Sequence, residues 1–279
     1  MTISSIKTST ARNSRGFSLL ELAIAITIVG VLLGALLVPL ATQFQARQIR
    51  ETQASLDDIK EALYGFAITQ GRLPCPDTDR DGAENPCDAT APVETDDVLE
   101  GFLPWRDLAV PATDAWDRIF RYAVTREFTA AAQPGMPPDV PDRLELTDLD
   151  NANISVFTRG DNPATGPQET KTLIQLAMNA PAIVLSVGSN GSGGSQLDGL
   201  DLPFATGTDE LNNVSAIASK WPPVPVALAR PFVQRILTPA VTGCSDTAEG
   251  QPFCEYDDLL IWISAPVLLN RMVQAGQLP

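Results

Sequence analysis

The sequence predicts an α+β protein: a long N-terminal helix, apolar through its first half, packed by its second half on a mixed head domain with a small antiparallel sheet. Three observations predict it. A long apolar run lies near the N-terminus. An amphipathic helical pattern continues from it. The rest of the chain breaks into short β-branched or aromatic runs bounded by Pro, Gly or Asp.

The apolar run comes first. From Phe17 to Ala41, 19 of 25 residues are apolar and Glu21 is the only charged one. Leu22 to Phe44 is an uncharged stretch of 23 residues, enough for a helix to cross about 30 Å of hydrocarbon. Lys7, Arg12 and Arg15 precede it with no acidic residue among them. A basic flank of this kind keeps the N-terminus cytoplasmic and sends the downstream chain across the membrane. A secretory signal has a shorter apolar core of about 7–15 residues, so the run reads as an anchor over about residues 17–43. Gly30 and Gly34 form a G-x-x-x-G pair, which lets helices approach closely. Pro39 lacks a backbone donor and is expected to kink or loosen the helix.

The helix then becomes amphipathic. Ile49, Leu56, Ile59, Leu63 and Phe66 fall on one face, while Arg47, Arg50, Glu51, Asp57, Lys60 and Glu61 take the other positions. Gly71 supplies a stop, with Pro74 shortly after it. The span from Phe17 to Gln70 makes a helix of about 81 Å at 1.5 Å per residue. Residues 71–279 form the head. Strands are expected at Ile119–Thr125, Asn153–Thr158, Ala182–Val187 and Leu259–Ser264, and a closing helix at Val267–Ala275. The stretches Pro134–Pro141 and Trp221–Pro231 read as extended connectors.

Composition narrows the chemistry. The chain has 19 Lys and Arg against 34 Asp and Glu, a formal charge of −15, and no histidine. An acidic chain repels nucleic-acid phosphates, so no nucleic-acid partner is predicted. Without His there is no Ser-His or Cys-His nucleophile pair and no imidazole zinc site. No catalytic constellation is found, and the chain is predicted not to be an enzyme and to need no organic cofactor. Trp105, Trp116 and Tyr122 read as core aromatics rather than a ligand platform. The glycine-rich stretch Val187–Gly194 lacks the lysine of a phosphate loop and leads into Asp198 and Asp201, so it reads as a strand, a turn and a loop. Asp257 and Asp258 read as loop-capping acids before the last strand.

Four cysteines allow three connectivities. The local one, Cys75–Cys87 and Cys244–Cys254, closes two small loops and suits an oxidising compartment; C-x-x-C zinc spacing is absent. Inside the first loop Asp77-Thr78-Asp79-Arg80-Asp81-Gly82 reads D-x-D-x-D-G, with Asp88 twelfth from Asp77. That is the oxygen-ligand spacing of an EF-hand-type calcium loop, whose sixth-position glycine permits the turn. Asp77, Asp79, Asp81, the Ala83 carbonyl, Asn85 and Asp88 are the expected ligands. The shorter Asp at the twelfth place, the missing exit helix and Cys87 within the loop depart from that pattern. A solvated acidic turn stapled by a disulfide is the alternative.

At the start of the apolar run, Arg15-Gly16-Phe17-Ser18-Leu19-Leu20-Glu21 resembles the type IV pilin and type II secretion pseudopilin family, whose leaders end in Gly before Phe-x-x-x-Glu. The resemblance implies that residues 1–16 are a cytoplasmic leader, removed after Gly16 by a prepilin peptidase that then methylates Phe17. It implies assembly through residues 17–70, with Glu21 paired to the free amine of a neighbouring Phe17 and Pro39 letting the helix bend. The partners it implies are other pilin or pseudopilin subunits and an inner-membrane assembly platform. The chain would be single-pass in the inner membrane, with its head periplasmic or, within a filament, extracellular. In the head, Leu73-Pro74-Cys75-Pro76-Asp77, Leu103-Pro104-Trp105 and Asp114-Ala115-Trp116 resemble elements of some pilin-like heads. Related pseudopilins use a late Gly/Asp loop for calcium, which makes Asp198 and Asp201 a second candidate pair. The large head implies a minor subunit. The alternative is a single-pass anchored calcium-binding or adhesion protein that never polymerises.

Overall fold

A computed structural model describes residues 18–87, 98–129, 154–160, 171–204, 207–214 and 231–277, without the side chains of 33–41. The chain divides into two compact units, residues 1–47 and 48–279. Helix α1 runs from Leu19 to Gln70, close to the expected span, and Pro39 does not end it. Ser18 opens the helix: the Leu20 amide donates to Ser18 Oγ at 3.3 Å and the Ser18 amide donates to a Glu21 carboxylate oxygen at 3.4 Å. The large apolar side chains described between Leu19 and Leu32 are exposed. Among the described residues no helix is long and apolar enough to cross a membrane. The span expected at about 17–43 includes Phe17 and the side chains of 33–41, which lie outside the described residues. The structure therefore establishes the helix and not the span.

The second unit is built on α1's amphipathic half. Leu56, Ile59, Leu63 and Ala67 are buried, with Ile49 and Phe66 packed partly buried beside them. These are the face that the 3.6-residue period marks out. Gly71 ends the helix at φ 76°, and its amide returns to the Ala67 carbonyl at 2.9 Å. A side chain is strained in that left-handed conformation.

Against this stripe lies a four-stranded antiparallel sheet, in the order β1 (Val98–Phe102), β2 (Arg121–Thr125), β5 (Ala182–Ser186) and β7 (Leu259–Trp262). Tyr122, Val124, Ala182, Val184 and Leu259 join the α1 stripe in one core cluster. Ala123, Ile183, Leu185 and Leu260, on the opposite face, join a second cluster. That second cluster belongs to a three-stranded sheet, ordered β4 (Ile174–Ala180), β3 (Ile154–Thr158) and β6 (Pro231–Val233). There β3 runs antiparallel to β4 and parallel to β6. Covered on both faces, β2 and β5 are buried at every residue, which is why β5 reads as a continuous apolar run.

The four expected strands are present as β2, β3, β5 and β7, and the closing helix is α4 (Ala265–Gln274). Leu268, Leu269 and Met272 of α4 enter the α1 cluster, and Arg271 pairs with Glu61 at 2.6 and 3.0 Å. A short helix α2 (Trp105–Leu108), a 3-10 turn (Arg126–Thr129) and helix α3 (Thr208–Val214) complete the described elements. Pro231, expected in a connector, starts the edge strand β6, where its missing amide costs no ladder bond. Residues 134–141 and 221–230 lie outside the described residues.

Both local cysteine pairs are bridged, with Cα atoms 5.7 Å apart for Cys75–Cys87 and 4.8 Å for Cys244–Cys254. The second bridge closes over a buried ionic group. Asp209 holds Arg159 at 2.9 Å and Arg235 at 2.8 Å, and Asp246 takes Arg235 at 3.1 Å and the Cys254 amide at 3.0 Å. Lone buried charges are costly, so these groups stand or fall together.

The α1 stripe should dominate the stability of this unit. Leu63→Ala is expected to cost about 2–5 kcal/mol in urea unfolding followed by tryptophan fluorescence. Glu61→Ala, which removes only the exposed pair with Arg271, should cost less than about 1 kcal/mol.

Candidate functional site

In the first unit, Gly16 and Phe17 lie outside the described residues, as do Gly34 and Pro39 in all but their helical backbone. Glu21 and Gly30 are described and exposed. A Cβ built on Gly30 would meet nothing within 4 Å, so its flank is open to a neighbouring surface. Ser18 and Glu21 form a reciprocal cap of the S-x-x-E kind, a signal written in the sequence beside the acid that the motif reading singles out.

The Asp77 loop in the second unit is organised by its own amides. Asp77 is fully buried. Its Oδ1 accepts from the Asp79 and Arg80 amides at 3.0 and 2.7 Å, and its Oδ2 from the Gly82 amide at 2.7 Å. Burial raises the Asp77 carboxyl above its ordinary pKa, against the pull of those three amides. Its backbone pairs with Phe102 through bonds of 2.9 and 2.7 Å, which ties the loop to β1. Gly82 has φ +85° and lies against the Trp105 ring, leaving no room for a Cβ. The glycine of the motif is thus required both by the turn and by the tryptophan.

Carboxylate oxygens of Asp77, Asp79 and Asp81 lie within 4.8 Å of one another, an arrangement that could hold a metal ion. The Asn85 side chain hydrogen-bonds Asp79, while its oxygen accepts from the Thr78 amide at 2.5 Å and the Thr78 hydroxyl at 2.9 Å. Asp88 lies outside the described residues. The Ala83 amide donates to Asp81 at 2.8 Å. Among the described residues Asp198 and Asp201 belong to no group of three or more convergent acids. Asp201 accepts from Arg80 and from the Ser195 hydroxyl, both at 2.6 Å, and Asp198 accepts the Leu200 amide at 3.0 Å. Arg80 thus ties the Asp77 loop to Asp201.

A second acidic cluster is the one that sequence reasoning missed. Glu210 of α3, Asp257 and Asp258 bring carboxylate oxygens within 4.8 Å of one another and could also hold a metal ion. Glu210 is fully buried; it accepts both the Asn190 side-chain amide, at 3.0 and 3.1 Å, and the Asp257 backbone amide at 3.0 Å. Asp257 accepts the Ser189 hydroxyl at 2.6 Å and the Asn190 amide at 2.7 Å. Asp258 takes Asn213 at 2.8 Å. One buried oxygen on each of Asp257 and Asp258 has no hydrogen-bond partner, which is costly for an acceptor. Burial and the Asp257 charge push Glu210 up to about 7, and burial with the Glu210 charge raises Asp258 well above its ordinary value.

The other motif residues are structural. Asp114 accepts the Trp116 and Arg118 amides at 2.9 and 3.0 Å and the Ser186 hydroxyl at 2.6 Å, which fixes its turn to β5. Tyr122 is buried and donates to the Pro74 carbonyl at 3.1 Å. Trp105 and Trp116 pack partly buried on the α1 cluster, as expected of core aromatics.

The Glu210 shift sets a pH dependence. A carboxyl with a folded pKa near 7 and an unfolded value of 4.5 binds its proton more tightly when folded. The contribution of this group to stability is then greatest below about pH 4.5, falls as pH rises, and levels above about pH 7. In the presence of a chelator, Glu210→Gln should flatten this decline and stabilise the protein at pH 8 by on the order of 3 kcal/mol or less, read from urea midpoints between pH 4 and 8.

Residues 11–37 match the family described as the prokaryotic N-terminal methylation motif. No curated protein and no solved structure matches the chain. The match covers Gly16, Phe17, Glu21, Gly30 and Gly34, so the chain carries the N-terminal segment of a type IV pilin-like or pseudopilin-like precursor.

Proposed function

We propose that the chain is a minor, non-catalytic subunit of a type IV pilus or type II secretion filament. It is cut after Gly16, methylated on Phe17, held in the inner membrane with its head on the periplasmic side, and assembled through α1 with other pilin-type subunits. The methylation motif over residues 11–37 carries this reading. Two features of the helix support it. Its apolar side chains from Leu19 to Leu32 are exposed and need lipid or neighbouring helices to cover them. The open flank of Gly30 allows such a helix to approach closely. Glu21 in that apolar stretch costs about 2.5–3.5 kcal/mol on insertion scales, which the amine of a neighbouring Phe17 offsets.

Intact-mass measurement of the exported protein should give an N-terminus at a methylated Phe17. A chain still starting at Met1 beside an active prepilin peptidase overturns the reading. Glu21→Ala should be cleaved normally yet enter filaments poorly. Equal incorporation of variant and wild type counts against the pairing with Phe17.

We also propose that the head binds calcium. The two acidic clusters support this, the buried one more strongly because its unpartnered Asp257 and Asp258 oxygens gain ligand bonds to a cation. Bound calcium would supply positive charge at those oxygens, and Glu210 would join α3 to the 188–190 turn through it. Calorimetry of the full-length protein should show calcium binding and a raised melting temperature. Glu210→Gln should remove one contribution and the double change Asp79→Asn, Asp81→Asn the other. No heat beyond dilution and no thermal shift at millimolar calcium would sink the proposal.

A further inference from the structure

The four-stranded sheet ends at β7, whose outer edge pairs with no strand among the described residues. The ladder tells which backbone groups are free. Ile263 donates to the Ala182 carbonyl at 2.8 Å, and the register sets Ile261 opposite Val184 and Leu259 opposite Ser186. In an antiparallel pair, hydrogen-bonded residues alternate with non-bonded ones. Leu259, Ile261 and Ile263 therefore direct their amides and carbonyls to β5, while Leu260 and Trp262 turn theirs outward.

The outward groups of Leu260 border a slot, and Trp262 follows just beyond its lining. Thr238 and Tyr256 exchange backbone hydrogen bonds of 2.9 and 3.0 Å, and beyond that bridge the two segments part. Gln234 donates to the Phe157 carbonyl at 2.8 Å, in the three-stranded sheet, while β7 stays with β5. The fork holds a cavity of about 400 Å³, lined by Gln53, Leu56 and Asp57 of α1 and by residues 234–237 and 258–261. One residue of a packed strand fills roughly 160 Å³, from a rise of about 3.3 Å and spacings of about 4.8 and 10 Å. Two or three residues of an added strand fit.

The slot's walls select for a particular occupant. Leu56, Leu259 and Ile261 give the slot apolar walls, Gln53, Gln234 and buried Asp258 give it polar ones, and Ile236 is 68% exposed at the mouth. Arg235 is committed to Asp209 and Asp246, whereas exposed Asp57 has no ion pair among the described residues. The rim is thus negative. Sheet edges are ordinarily guarded by a lysine, a proline or a bulge, and Leu259-Leu260-Ile261-Trp262 has none of these. A second copy, with its own formal charge of −15, meets repulsion at this rim.

We propose that the slot is a strand-addition site: an extended segment of a partner protein, apolar at alternate positions and carrying a Lys or Arg opposite Asp57, pairs with the outer edge of β7. The backbone of Leu260 and Trp262 supplies the hydrogen bonds, and the slot's apolar walls hold every second side chain.

Residue-resolved hydrogen exchange on the full-length protein in detergent tests this, with the synthetic peptide Lys-Val-Thr-Val-Lys-Val-Thr-Val and its Glu-for-Lys counterpart as probes. The basic peptide should slow exchange of the Leu260 and Trp262 amides by about tenfold or more, while Leu259 and Ile261, already in the ladder, change little. Asp57→Lys, an exposed change, should shift the preference to the acidic peptide. Three results overturn the proposal. The first is no slowing at either amide with millimolar peptide. The second is equal slowing by both peptides. The third is protection of both amides without peptide, which at low protein concentration means the chain covers its own edge and, if it grows with concentration, means a second copy does.

Discussion

Leu56, Ile59, Leu63 and Ala67 have to be kept from water, and one helix cannot hide its own apolar stripe. The head is the solution to that constraint. Covering the stripe takes a sheet whose central strands, β2 and β5, present apolar residues to α1. Side chains alternate between faces along each strand, so Ala123, Ile183 and Leu185 fall on the far face, which also needs cover. The three-stranded sheet supplies it, and α4 closes the remaining side of the α1 cluster through Leu268, Leu269 and Met272. A two-sided sheet is the consequence of placing a large head on one helix.

This ordering explains which elements were legible in the sequence. The α1 stripe was, because helical periodicity survives any later packing. So were β2, β5 and β7, because burial on both faces writes a continuous apolar or aromatic run. The β1 strand was hidden by Glu100 and Gly101. Gly101 is there for a reason that no periodicity reports: the Asp77 carbonyl comes too close to admit a Cβ. The β4 strand was hidden because it is an edge strand with Gln175, Leu176 and Met178 exposed, and β6 because it begins with proline. In each case the missing information was the identity of a neighbour distant in sequence.

The same distinction separates the two acidic clusters. Asp77, Asp79 and Asp81 sit in a contiguous D-x-D-x-D-G motif, so their convergence was readable from spacing alone. Glu210 reaches the second cluster from 47 residues before Asp257, and no spacing rule joins them. Asp257 and Asp258 were visible as a pair, but their role depends on α3 arriving beside them. The tertiary fold makes this site, whereas local turn chemistry makes the other.

The two clusters also differ in how their charge is met. In the Asp77 loop three backbone amides converge on one buried carboxylate, and Asp79 and Asp81 are exposed to water. Those three amides organise the loop around Asp77, although burial still raises its carboxyl. The Glu210 cluster has fewer donors than acceptors, with unpartnered oxygens on Asp257 and Asp258 and a carboxyl raised to about 7. A buried acceptor without a donor must take up a proton or a cation, since leaving it bare costs about 1–3 kcal/mol or more when charged. The first cluster is therefore organised by backbone amides that converge on Asp77. The second is electrostatically incomplete, although Asn190 already ties Glu210 of α3 to the 188–190 turn.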